Sequence, residues 1–122
     1  MESKNLSINN WKKFKNIQEN NIPGKKGLYV LRLNERFGRL KGSSDILYIG
    51  WSENLQHRLW DNYKTGTGGG TTQRVHNYLK KKDYSERVEI GWEVGVPRDK
   101  EKRLLKQYEQ EHHELPPWNR QR

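Results

Sequence analysis

A glutamate occupies an apolar stripe in the stretch Glu101-Lys-Arg-Leu-Leu-Lys-Gln-Tyr108. Glu101, Leu104, Leu105 and Tyr108 fall at i, i+3, i+4 and i+7, so a helix projects all four from one face. An ionised carboxylate beside leucines is costly to bury unless a cation or several donors meet it. Arg58 stands three residues after Leu55 and four before Asn62, on the flank of a helical seam of Leu55, Leu59 and Tyr63. A guanidinium fixed by packing clamps phosphate with two parallel hydrogen bonds and neutralises charge that develops during phosphoryl transfer. Tyr29 and Tyr48 lie in two apolar runs that a hairpin would set side by side, converging their hydroxyls over a sheet. Acid, guanidinium and paired phenols are groups suited to work on a phosphate.

The charge balance fits such a partner. Twenty-four Lys and Arg against fifteen Asp and Glu give a formal charge of +9, the balance of a polyanion binder. With no Cys in the chain, carboxylate and imidazole remain as metal ligands, which favours a hard ion such as Mg²⁺. No apolar run approaches the roughly 20 residues that span a bilayer, and the N-terminus has no signal-peptide pattern. The expectation is a cytoplasmic, intracellular protein with no membrane association.

The elements that must position these residues follow from the hydrophobic pattern. Trp11, Phe14 and Ile17 recur at helical spacing behind Asn10 and predict a short N-terminal helix ending before Pro23-Gly24. Residues 27–33 alternate as a strand, with Leu28 and Val30 on one face and Tyr29, Leu31 and Leu33 on the other. The polar stretch 34–44 predicts a long hairpin connection, and 45–50 a second strand. Ser52 is placed to cap the Arg58 helix, with Glu53 in its first turn. A glycine loop at 65–70 precedes another short helix with Val75 and Leu79. In 87–94, Val88, Ile90, Trp92 and Val94 alternate with Glu89, Gly91 and Glu93, a strand with one buried and one wet face. Pro97 and Asp99 open the Glu101 helix, and Pro116-Pro117 ends regular structure. Only 30% of residues are hydrophobic, so the core must lean on five Trp and six Tyr. The fold class is α+β: a small three-stranded, mainly antiparallel sheet flanked by helices. One domain spans 1–122, with a lead-in over 1–24, a catalytic core over 25–119 and a basic tail over 120–122.

Gly27-Leu28-Tyr29 followed by Tyr48-Ile49-Gly50 resembles the two-part signature of the GIY-YIG nuclease family. Arg58 within Asn54-Leu-Gln-His-Arg-Leu59, Glu101 before paired leucines and Tyr108, and Pro116-Pro117-Trp118-Asn119 resemble its later motifs, in the family's order. Eighteen residues separate Tyr29 from Tyr48, so the hairpin carries a basic insertion relative to the family, read as an arm that contacts substrate. The resemblance implies the GIY-YIG nuclease fold and a divalent-metal-dependent endonuclease that hydrolyses phosphodiester bonds in nucleic acid, with double-stranded DNA as the expected partner. A catalytically inactive nucleic-acid-binding module and an RNA-directed nuclease of the same fold are the alternatives. It implies catalytic roles for Tyr29, Tyr48, Arg58, Glu101 and Asn119. On this resemblance Glu101 would hold one Mg²⁺ or Mn²⁺, with Glu109 and Glu111 as the alternative ligands, and Arg58 would bind the scissile phosphate. Tyr29 is the general base, Tyr48 orients water or phosphate, and Asn119 positions the Glu region or Tyr29. His57 and His76 are candidate helpers. Arg36, Arg39, Lys41, Lys64, Arg74 and Lys80, with Lys81, Lys82, Arg120 and Arg122, form the expected nucleic-acid-binding footprint. The chain is expected to act as a monomer or weak homodimer.

Overall fold

The structure is a computed structural model that describes residues 1–120. Arg122 of the expected basic tail lies outside the described residues. Four strands form one antiparallel sheet in the order β1-β4-β2-β3, where β1 is Lys12–Lys13, β2 Gly27–Gly38, β3 Ser43–Ser52 and β4 Val88–Val94. A π-helix, His57–Lys64, is followed by α1 (Gly70–Lys80), a single turn α2 (Lys82–Ser85) and α3 (Asp99–His112). The class is α+β.

The expected three strands become four because Lys12 and Lys13 pair with Ile90 and Glu89 along β4. The predicted N-terminal helix is therefore absent among the described residues; the short strand and a 3₁₀ turn, Phe14–Asn16, replace it. A spacing of three suits a 3₁₀ turn as well as an α-helix. Asn10, which precedes the expected helix, accepts a hydrogen bond from Trp92 N at 3.0 Å and fastens this segment to β4. The long connection predicted for 34–44 is mostly strand: β2 runs to Gly38 and β3 resumes at Ser43. Ser52, expected to cap the Arg58 helix, instead ends β3 and its hydroxyl bonds the Asn54 main chain; Asn54 takes the capping position, its Oδ1 accepting from His57 N at 3.0 Å.

Strand alternation sends Tyr29, Leu31 and Leu33 to one face of the sheet and Leu28 and Val30 to the other. The first face packs beneath Leu55, Leu59 and Tyr63, and beneath Val75 and Leu79 of α1. The second packs against Leu105 and Tyr108 of α3 and against Ile8. The face of β4 expected to be wet is covered as well: Gly91 is buried, and Glu89 and Glu93 pair with Arg32 at 2.7 Å and Lys100 at 2.6 Å.

Leu31 pairs with Tyr48 but Arg32 pairs with Ile46, which leaves Leu47 as an extra residue in β3. This bulge puts Leu47 and Tyr48 on the same face as Tyr29, while Ile46 and Ile49 serve the other. Gly50 lies opposite Tyr29 in the ladder. A Cβ there would overlap the Tyr29 ring and hydroxyl and lie 2.7 Å from Tyr48 Cε1. Gly27 is similarly confined, with Leu55 Cδ1 at 2.9 Å from the position of a Cβ. Both glycines are thus required by close approach. Gly50→Ala is expected to lose about 1–3 kcal/mol by overpacking, measured by chemical denaturation; an unchanged midpoint would show that the rings do not rest on Gly50.

Candidate active site

Tyr29 is completely buried, and its hydroxyl has two partners. It shares a 2.6 Å hydrogen bond with the Tyr63 hydroxyl and accepts one from Arg58 Nη1 at 3.2 Å. The Tyr48 ring lies alongside, with centroids 6.0 Å apart and planes 26° from parallel. Arg58 Nε donates to Asn62 Oδ1 at 3.3 Å, so the guanidinium is fixed at both ends. Burial opposes the Arg58 charge, yet the phenols of Tyr29, Tyr63 and Tyr48 outweigh it and hold the proton more firmly than in water.

The winding of the helix explains how Arg58 and Tyr63 meet one hydroxyl. In an α-helix, residues five apart point about 140° away from each other. The i→i+5 pattern, seen in Thr65 N donating to Trp60 O at 2.9 Å, brings them to one side. Tyr63 and Asn62 were read as seam and spacing markers, and only this winding makes them partners of the site. Burial, with Tyr48 adding to it, pushes the Tyr29 phenol well above its ordinary range, although Arg58 and Tyr63 pull the other way. A fully buried phenol held that high is a poor proton acceptor near neutrality, which argues against the general-base role expected for Tyr29.

Glu101 approaches from the opposite layer. It stands in the first turn of α3, half-buried, on the stripe shared with Leu105, Tyr108 and His112. β3 is an edge strand, and three C-terminal groups cover its open side. Trp118 N donates to Leu47 O at 2.9 Å. The Asn119 amide accepts from Ile49 N and donates to Ile49 O, both at 3.0 Å. The Trp51 main chain donates to the Glu101 carboxylate. Glu101 and Asn119 thus address positions two residues apart on one strand, and Arg58 is one of the positive charges that act on Glu101.

Burial raises the Glu101 pKa above the ordinary carboxylate range, against the pull of Arg98, the Trp51 hydrogen bond, Arg58 and Lys102. Its charge is thus incompletely compensated by the protein. A hard cation that keeps most of its waters suits a single carboxylate of this kind. Arg98, which the sequence did not single out, lies with its Cζ 4.8 Å from the Trp51 ring centroid, and Trp51 Nε1 donates to Val96 O at 2.8 Å. The pair braces the start of α3. The alternative ligand, Glu109, lies two turns along the helix beside Lys102, Lys106 and Gln110.

The expected nucleic-acid contacts divide into two groups. Arg39 is turned inward, donating to Leu115 O at 2.6 Å and pairing with Glu114 at 3.2 Å. Lys64 clamps the N-terminal segment, with Nζ 2.8 Å from Lys15 O. Both are engaged within the chain rather than presented as a basic surface. Arg36 is exposed beside Glu2 at 3.5 Å, and Lys41 and Lys80 are exposed. Arg74 lines a cleft next to Tyr48. His57 is exposed and bonded to Asp61 at 2.8 Å, whereas His76 is buried and bonded to Tyr63 O at 2.6 Å, so neither adjoins the phenol pair as a free imidazole.

No protein-family model matches the chain, and no curated protein matches its sequence. No helix among the described residues is long and apolar enough to cross a membrane.

The raised pKa of Glu101 carries a sign. Folding favours the protonated carboxyl, so its stabilising contribution is present below the ordinary Glu range and is lost as pH rises through the raised folded value. Glu101→Gln is therefore expected to raise the melting temperature at pH 7, with the gain vanishing toward the acid end. A lower melting temperature at pH 7 would mean that the carboxylate is fully compensated within the protein.

Proposed function

We propose that this chain is a divalent-metal-dependent endonuclease of the GIY-YIG nuclease fold, hydrolysing phosphodiester bonds in nucleic acid, with DNA as the expected substrate. The observation that carries the reading is a half-buried guanidinium, Arg58, fixed by the Tyr29 hydroxyl and Asn62, whose positive charge is among those felt by the half-buried carboxylate of Glu101. The +9 charge suits a polyanionic substrate.

Phosphodiester hydrolysis requires a held phosphate, an oriented water and stabilisation of the departing oxygen. Arg58 binds the non-bridging oxygens of the scissile phosphate; its geometry is set before substrate arrives, which is the condition for electrostatic stabilisation without reorganisation. Tyr29 keeps its proton and acts as the positioning residue for Arg58. Tyr48, which borders the open cleft, orients the water whose oxygen bonds to phosphorus as the bond to the departing oxygen breaks, the proton of that water passing to solvent in the cleft. Glu101 is the residue that would hold one Mg²⁺ or Mn²⁺. When bound, that ion supplies positive charge beside the departing oxygen. Asn119 keeps β3 in place, and with it Tyr48 and the Trp51 N–H that aims Glu101.

Cleavage of plasmid, single-stranded DNA and structured RNA in Mg²⁺ tests this reading. Glu101→Ala is expected to lower turnover at least about 100-fold while leaving binding of the cut substrate within a few-fold. Wild-type protein that binds all three substrates and cuts none would establish the non-catalytic module instead. The acid limb of kcat/KM is expected above the ordinary Glu range, because Glu101 must ionise before it can hold a cation. An acid limb inside that range would assign the ligand role to another carboxylate.

A further inference from the structure

Next to Tyr48 the surface opens into a cleft of about 340 Å³, lined by Tyr48, Gly70, Thr71, Arg74, Asn119 and Arg120. Both charged residues in this lining are arginines. Several other arginines pair with carboxylates: Arg32 with Glu89, Arg39 with Glu114 and Arg87 with Glu35. Arg74 and Arg120 instead converge on a single phenol, Tyr78, and hydrogen-bond to it. Arg74 Cζ lies 5.8 Å from the Tyr78 ring centroid, and Lys81 Nζ lies 5.5 Å from the same ring. Tyr78 itself rests on Trp118, centroids 5.0 Å apart, whose main chain is bonded to Leu47 of the bulge. The cationic pair is thus anchored to the same edge of β3 that carries Tyr48.

One phenol is a weak partner for two guanidiniums. Those hydrogen bonds pull the Tyr78 phenol below its ordinary range, as an excess of positive charge would. A phosphate offers both arginines charged oxygens in place of one neutral one, and each charge-assisted bond is roughly twice as strong as a neutral one. The location decides which phosphate. Tyr48 borders the cleft on one side and stacks beside Tyr29, the partner of Arg58, on the other. A strand held by one phosphate on Arg58 and running past Tyr48 would bring a neighbouring phosphate to the cleft.

We propose that Arg74 and Arg120 form a second subsite that holds a phosphodiester flanking the scissile one, with Tyr78 keeping the two guanidiniums together until substrate displaces it. The subsite rests on the nuclease reading for its position relative to the cut, but its binding is measurable without cleavage.

The test is a scan of duplexes in which one phosphate at a time is replaced by a neutral methylphosphonate, with affinity measured by fluorescence anisotropy in EDTA. Wild-type protein is expected to lose about tenfold in affinity at a flanking position, as for one charged hydrogen-bonded contact. The Arg74→Ala, Arg120→Ala double variant should show no further loss at that position while keeping the losses elsewhere. Its slope of log affinity against log salt should fall by about 0.9, the share of one phosphate. Identical profiles for the two proteins would overturn the subsite even if the wild type cuts nucleic acid. An arginine-dependent position in a protein that cuts nothing would keep the subsite and refute the nuclease reading, and a wild type that binds no duplex would overturn the subsite together with the expectation of a duplex substrate.

Discussion

The hydrogen bond from Arg58 to the buried Tyr29 hydroxyl is the contact around which the rest of the molecule is arranged. A guanidinium brought partly out of water must find acceptors, and a phenol with no exposure of its own must find partners for its hydroxyl. Each requirement is met by the other, with Tyr63 and Asn62 completing the set. Gly50 leaves room for the rings, and the π-winding turns Arg58 and Tyr63 toward the same point. Such windings depart from the regular helix and recur at functional sites, where a side chain must be aimed rather than merely packed.

The second constraint is the open side of β3. An edge strand presents unpaired main-chain groups, and proteins cover them. Here the covering groups are Trp118 N, the Asn119 amide and the Glu101 carboxylate, at Leu47, Ile49 and Trp51. The helical layers on the two faces of the sheet have no direct route to one another through the core, so the edge is where Glu101 from one side reaches the field of Arg58 from the other. A carboxylate whose ionised form burial disfavours, rather than one locked in a full ion pair, leaves its charge available to a cation.

Much of this was legible in the residues. Glu101 stood out because a carboxylate interrupted an apolar helical stripe, and the structure keeps it on that stripe with Leu105 and Tyr108. That a hairpin sets the Tyr29 and Tyr48 rings side by side followed from the strand pattern, although the ladder pairs Tyr29 with Gly50 and Tyr48 with Leu31. The rest depended on relations that spacing does not encode. Leu55, Leu59 and Tyr63 suit an α-helix, so nothing local announces π-winding or Tyr63 as a partner of Tyr29. Lys12 and Lys13 look like a solvated helix face until β4 offers them an open edge. Arg39 and Lys64 read as free cations, yet their partners, Leu115, Glu114 and the Phe14–Lys15 carbonyls, are distant in sequence. The cluster of Arg74, Tyr78 and Arg120 is assembled by Trp118 docking on β3, a contact visible only in three dimensions.

The central claim is that one carboxylate, Glu101, offers a cation a seat facing Arg58 at the edge of β3. Crystals soaked in Mn²⁺ and measured at the manganese absorption edge test this most directly. The expected result is a single anomalous peak within bonding distance of the Glu101 carboxylate, on the side toward Arg58 and Tyr48, that disappears in Glu101→Gln. A peak beside Glu109, or none at Glu101 in a protein whose cleavage depends on Mn²⁺, would contradict it.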